Sequence, residues 1–320
     1  MTLATDTDSV EVSLLVPAKD EVDNLPEFVS QCIEALKSLP YSCELVVIDD
    51  GSRDGTAELL EDLRHEHTFL RTVTHRTQLG IADALKSGGE VARGWIFVFY
   101  PADLQFSPSE IPSLVEPIRS GDADMVTGTK QGEYEKAFVS GIYNRMCRWM
   151  FGVRVSDLNA VKAYRREVME AVPARPDWHR FIVPIAAADG FRLTERPVTL
   201  HPRIHGQSKF GLGRIPVGML DLMSVWFQLR FGRKPLLFFG VPGGILVLLG
   251  LLVGLGAIGL RIAGIGFRPL LTLTLILVIS GIALFGFGFI GELLASQRAE
   301  LRTLARTIER MSSDRSHRNP

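Results

Sequence analysis

Two clusters of oxygen-bearing side chains stand out: Asp49-Asp50-Gly51-Ser52 with Asp54-Gly55-Thr56 behind it, and Pro101-Ala102-Asp103-Leu104-Gln105. An acid at the carboxyl end of a strand accepts a hydrogen bond from a ribose hydroxyl or a base N–H. Asp103 and Gln105, alternating by two along an extended segment, offer two oxygen ligands to a hard divalent cation that bridges phosphates. Turn chemistry alone accounts for residues 52–56, with Gly51 turning the chain and Asp54 capping the next helix. It leaves the adjacent acids Asp49 and Asp50 unexplained. Lys19 and Glu21 follow an earlier apolar run in the same way.

The elements that must position these groups are short buried strands. Residues 12–16, 44–48 and 95–100 are apolar, β-branched or aromatic, and each run ends in polar, turn-forming residues. Helical patterns separate them at 25–39, 55–63 and 80–92. Strand–helix alternation of this kind predicts a doubly wound α/β sheet. Ligands in such sheets bind beyond the carboxyl ends of the strands, where these side chains sit.

Composition narrows the function classes. Lys and Arg total 35 against 36 Asp and Glu, a net charge of −1, which excludes the basic excess of a nucleic-acid binder. Three scattered cysteines, Cys32, Cys43 and Cys147, suggest neither a disulfide framework nor a zinc site. Residues 1–10 show no basic segment followed by an apolar run, so no secretory signal is expected.

The last third differs from the rest. Residues 236–260 and 270–291 carry no charge, and each run as a helix reaches roughly 33–38 Å, enough to cross a bilayer core. The short segment between them makes a hairpin, with Pro242 near the start of the first span and Gly250 and Gly254 spaced for close helix contact within it. Arg230, Arg233 and Lys234 precede the first span, and Arg298, Arg302, Arg306 and Arg310 follow the second at helical spacing. Counting these places both termini in the cytosol. Residues 211–232, apolar but interrupted by Arg214, Asp221 and Arg230, suit a helix lying on the membrane or packed on the soluble domain.

In order along the chain, Pro-x-x-x-Glu at 17–21, Val-Val-Ile-Asp-Asp-Gly-Ser-x-Asp-Gly-Thr at 46–56, Ala-Asp-Leu-Gln at 102–105 and Arg-Ile-His-Gly-Gln-Ser-Lys at 203–209 resemble the family 2 glycosyltransferases of GT-A fold. Within that family they are similar to the dolichyl- or polyprenyl-phosphate sugar synthases, of which dolichol-phosphate mannose synthase is an example. The resemblance implies a GT-A catalytic domain, Rossmann-like with a mostly parallel sheet, over residues 1–210. A juxtamembrane interfacial helix at 211–234, two transmembrane helices at 235–292 and a cytosolic basic tail at 293–320 follow it. It further implies that Pro17, Lys19, Glu21, Ile48, Asp50 and Ala102 line the nucleotide, and that Asp103 and Gln105 hold Mg2+ or Mn2+. Lys130, Arg203, Ser208 and Lys209 would face donor or acceptor phosphate, with Asp103, Arg203 and Lys209 carrying catalysis. Many members have an acid where this chain has Pro101, which removes one candidate metal ligand. Asp157, Asn159, His179 and Arg180 are further polar candidates near the acceptor side, with surface packing or a local hydrogen bond as the alternative.

The expected activity is inverting transfer of a hexose from a UDP- or GDP-sugar to a polyprenyl phosphate, at the cytosolic membrane face. Its partners are the donor, the acceptor and the bilayer, with homo-oligomerisation through the spans as a further expectation. Two rivals stay open: a non-catalytic membrane scaffold that binds nucleotide-sugar or lipid, and a processive polysaccharide synthase. The second would show a Gln-x-x-Arg-Trp motif and more spans, and neither is present.

Overall fold

In the computed structural model, described for residues 9–37, 39–131, 137–153, 155–158, 160–172, 178–202, 215–232, 234–266 and 268–316, the chain divides into two units, Met1–Pro216 and Val217–Pro320. The first is built on β1 (Val12–Ala18), β2 (Cys43–Asp49), β3 (Leu70–Thr74), β4 (Ile96–Phe99), β5 (Met125–Gln131), β6 (Lys162–Arg165) and β7 (Leu193–Thr199). These form one sheet in the order β3-β2-β1-β4-β6-β5-β7, and β6 alone runs antiparallel to its neighbours β4 and β5. The mostly parallel sheet expected from the strand–helix alternation is present, and the order reverses between β1 and β4.

Among the described residues seven α-helices serve this unit: α1 (Leu25–Lys37), α2 (Thr56–Glu66), α3 (Ile81–Val91), α4 (Ile111–Arg119), α5 (Ala137–Phe151), α6 (Arg166–Ala171) and α7 (Ile182–Ala188). One face of the sheet packs Val12, Leu14, Val16, Leu45 and Val47 against Phe28, Leu60 and Leu114 of α1, α2 and α4. The other face takes α3, where Gly88 lies so close to Ile48 and Leu15 that a Cβ would meet Ile48 Cδ1 at 2.6 Å. Burial on both faces explains why β2 is inaccessible from end to end, as parallel sheets require. Even Glu44 is sealed, accepting from Ser13 Oγ at 2.6 Å and pairing with Arg93 Nε at 3.0 Å. That pair clamps the amino end of the strands, away from the candidate site.

The second unit holds α8 (Ile215–Phe231), α9 (Pro235–Ile262) and α10 (Arg268–Ser316). Pro235–Ile262 and Arg268–Leu301 are long and apolar enough to cross a membrane. Gly243 and Gly281 bring α9 and α10 into backbone contact, and a Cβ on Gly243 would meet Gly281 O at 2.7 Å. Gly250 faces Val278 and Gly254 faces Thr274, so the small-residue stripe serves packing inside the hairpin. Glu292 Oε2 accepts from the Leu236 N–H at 3.3 Å, satisfying one of the open donors at the start of α9. The second helix continues unbroken past the apolar stretch to Ser316.

Candidate functional site

The loops leaving β1 and β2 are sewn into one wall. Ala18 and Asp49 are register partners at the ends of the two strands. Beyond them, Asp20 N donates to Ser52 Oγ at 2.9 Å, Arg53 N to Asp20 Oδ1 at 2.9 Å, and Glu21 N to Thr56 Oγ1 at 3.1 Å. Asp20 takes a positive φ of 54°, which a short carboxylate side chain tolerates. Lys19 Nζ donates to the Gly51 carbonyl, and Glu21 Oε2 accepts from Asn24 Nδ2 at 2.7 Å. Asp54 Oδ1 takes the Thr56 N–H at 3.1 Å, meeting the expected capping role from one residue outside the helix cap.

The adjacent acids Asp49 and Asp50 turn out to have distinct structural work. Asp49 Oδ1 accepts from Ser52 N at 2.9 Å and closes the turn. Asp50 reaches the loop between β3 and α3: its oxygens accept from Leu79 N and Gly80 N, both at 2.8 Å, and Oδ1 lies 2.9 Å from His75 Nδ1. His75 Nε2 in turn meets Ser87 Oγ of α3 at 3.0 Å. Burial pushes the Asp50 carboxyl up, but the His75 ring and the two backbone N–H groups outweigh it and hold it below the usual carboxylate range. Asp50 is thus a strut that ties the end of β2 to the loop before α3. Pro17, Lys19, Glu21 and Asp50 gather at the carboxyl ends of β1 and β2, whereas the side chains of Ile48 and Ala102 are buried in packing, 0% and 2% exposed.

Next along the chain, Gly51 has φ 69°, and a Cβ there would meet the Thr77 carbonyl carbon at 2.7 Å and Gln78 N at 2.9 Å. Backbone cannot yield as a side chain does. We therefore expect Gly51→Ala to cost about 1–3 kcal/mol of stability, the range for a forced left-handed residue, and to weaken nucleotide binding with it. Thermal unfolding of the solubilised chain checks this, and an unchanged midpoint would refute it.

After β4 the chain alternates strictly. Ala102, Leu104 and Phe106 are buried while Asp103 and Gln105 are half-buried on the opposite side. Leu104 adopts φ 56°, an outlier for a bulky residue, and strain of this kind collects where a loop must aim its neighbours. Gln105 N donates to Asp103 Oδ1 at 3.3 Å, and His201 N donates to the Gln105 carbonyl at 2.8 Å. A carboxylate and an amide oxygen side by side fit a hard divalent cation whose other ligands come from phosphate and water. Among the described residues no cluster of three His, Cys, Asp or Glu side chains exists, so a cation held here depends on its ligand for most of its coordination.

A second polar cluster lies across β5, β6 and β7. Lys130 Nζ is 3.5 Å from Asp157 Oδ2, and Thr127 Oγ1 donates to the Asp157 carbonyl at 3.1 Å. Glu195 Oε1 accepts from Ser156 N and Ser156 Oγ, both at 2.6 Å, bracing the same loop. Lys162, 2% exposed, donates from Nζ to the Ala160 carbonyl at 2.6 Å. Sequence reasoning passed over Lys162, Glu195 and His75. For Lys162 the signal was a lysine inside the apolar run Ala160-Val161-Lys162-Ala163-Tyr164. His179 is half-buried with its Nδ1 enclosed, that atom meets no hydrogen-bond partner among the described residues, and desolvation with Arg180 and Lys162 nearby holds its pKa down to about 3. Arg203, Ser208, Lys209 and Asn159 lie outside the described residues.

Residues 13–166 match the family described as Glycosyl transferase family 2. Dodecaprenyl-phosphate galacturonate synthase of Rhizobium johnstonii is 31% identical over 307 residues, covering 90% of this chain and 88% of that protein. An undecaprenyl-phosphate 4-deoxy-4-formamido-L-arabinose transferase of Pseudomonas fluorescens is 31% identical over 306 residues, covering 92% and 87%. In fold, the chain is similar to glucosyl-3-phosphoglycerate synthase of Mycobacterium tuberculosis, with TM-score 0.52 and 21% identity over 69% of this chain and 80% of that one. That crystal structure holds Mn2+, UDP and glucosyl-3-phosphoglycerate, and another of the same enzyme holds Mg2+ and UDP. The expected GT-A architecture is the one observed. With the family match spanning the segments that carry Asp50, Asp103 and Lys162, and with relatives aligned along nine-tenths of its length, this chain belongs to glycosyltransferase family 2.

Proposed function

We propose that the chain transfers a sugar from a nucleotide-sugar donor to a polyprenyl phosphate at the cytosolic face of a membrane, with inversion at the anomeric carbon. One observation carries this reading. Two relatives that align along nearly the whole chain, membrane-length helices included, are named for different sugars but for the same class of acceptor. The basic residues flanking the spans support cytosolic termini, on the side where nucleotide sugars are made.

The chemistry asks little of a general base, because a lipid phosphate is already anionic at neutral pH and attacks the anomeric carbon directly. Positioning and charge control are then the demands on the protein. Pro17, Lys19 and Glu21, backed by Asp50, form the nucleotide wall. Asp103 and Gln105 would hold Mg2+ or Mn2+, which supplies Lewis-acid stabilisation to the departing diphosphate. Lys130, Arg203, Ser208 and Lys209 would draw the anionic phosphates together and offset their repulsion.

The test is a panel of UDP- and GDP-sugars offered to the purified chain with polyprenyl phosphate, read by mass spectrometry of the lipid. A glycosyl phospholipid from one donor is the expected result, and no lipid product from any of them would defeat the proposal. Reporters fused to either terminus should score as cytosolic. An exterior score would separate the catalytic unit from its donor and overturn the orientation.

A further inference from the structure

Lys162 opens β6 at the carboxyl end of its antiparallel neighbour β4, opposite Phe99 and so four residues before Asp103. Its Nζ lies 5.6 Å from the Phe99 ring centroid and makes one hydrogen bond, to the Ala160 carbonyl. Among the described residues no carboxylate comes within ion-pair distance of it. Asp157, the nearest acid acting on it, is ion-paired with Lys130 at 3.5 Å. Among the described residues the groups acting on Lys162 are therefore Lys130 from β5, Asp157 from the loop before β6, and the neutral ring of His179. With Lys162 charged the array is net positive by one. Among the described residues only one acceptor meets this ammonium, and a buried ammonium so placed is costly to keep and attracts an anion strongly, since low dielectric leaves its field unscreened.

We propose that protonated Lys162 is a positioning residue that supplies a buried positive charge to the diphosphate side of the site, fixing the Asp157–Lys130 pair and strengthening anion binding there. Burial, with Lys130 adding to it and Asp157 opposing it, pushes its pKa down to about 7. The charge is consequently present below neutral pH and withdrawn above it, over a range in which an ordinary lysine stays charged. An anionic ligand that prefers the charged form raises that pKa on binding, each unit of rise corresponding to about a tenfold preference. The inference rests on the nucleotide-sugar reading of the site, and not on the identity of the acceptor.

The experiment compares the full-length wild type with Lys162→Met for calorimetric binding of UDP and GDP, and for sugar transfer, at pH 6 and pH 8.5. At pH 6 the wild type should bind the productive nucleotide about tenfold more tightly than the variant, and at pH 8.5 the two should converge. Ionisation of the nucleotide itself cancels in that ratio. Lys162→Arg, which keeps its charge at every pH used, should hold its advantage over Lys162→Met at pH 8.5. A wild-type to Lys162→Met ratio that does not change with pH would reduce Lys162 to packing and overturn the proposal. Should the variants fail to fold, the wild type still decides: nucleotide binding at pH 8, measured in buffers of different ionisation heat, should take up a proton, and absence of uptake refutes the idea. If these binding results hold while no donor yields a lipid product, the acceptor reading falls and the role of Lys162 stands.

Discussion

Asp103→Ala is expected to lower sugar transfer by about a hundred- to a thousandfold, the loss seen when one group that stabilises developing charge is removed. Asp103 is the acid of the segment after β4, and Pro101 stands where a second would be, so no neighbouring carboxylate in that segment substitutes for it. Being half-buried outside the core, it can be replaced with little effect on unfolding, which separates this loss from a folding defect. Transfer should also depend on added Mg2+ or Mn2+. Full turnover in excess chelator, together with an Asp103→Ala variant as active as wild type, would dismiss the metal role. The complementary change, Pro101→Asp, should tighten the apparent metal affinity, and a metal titration that does not move would show that residue 101 does not face the cation.

The second large effect is expected at Arg203 and Lys209. If their charged hydrogen bonds hold phosphate in the transfer step, each is worth about 1.5–3 kcal/mol, so Arg203→Ala and Lys209→Ala should each lose about ten- to a hundredfold in rate. Arg203→Lys should recover only part of that, because a guanidinium grips two phosphate oxygens at once and an ammonium does not. Nucleoside monophosphate binding should persist in Lys209→Ala if, as proposed, Pro17 to Glu21 and Asp50 form the base and ribose wall. Product formation measured alongside calorimetry separates the two effects. Normal turnover in both alanine variants would move the acceptor phosphate elsewhere.

These expectations differ in where they come from. Residue order alone determined the strands β1, β2 and β4, the helices between them, and the loops after them as the place for chemistry. Short buried strands are apolar throughout, and the polar residues that end them must face a cleft. It also determined the hairpin, because a helix in hydrocarbon needs an uncharged run of fixed length. The burial alternation around Asp103 and Gln105 is expected from an extended segment, but the structure reaches it through bends, with Leu104 at φ 56°.

Tertiary structure decided what no local period encodes. Asp50 reads as a ligand-facing acid, yet folding brings the loop at 75–80 over it and occupies both its oxygens. Ile48 and Ala102 sit within two residues of Asp50 and Asp103, yet packing of the folded sheet buries their side chains. Lys162, Asp157, Lys130 and Glu195 come from separate segments and meet because β6 inserts antiparallel between β4 and β5, with β7 beside β5. A lysine in an apolar strand is one charge in a short run until its neighbours arrive. Its burial and its lowered pKa are properties of that assembly, set by desolvation and charges that only the folded chain brings within reach.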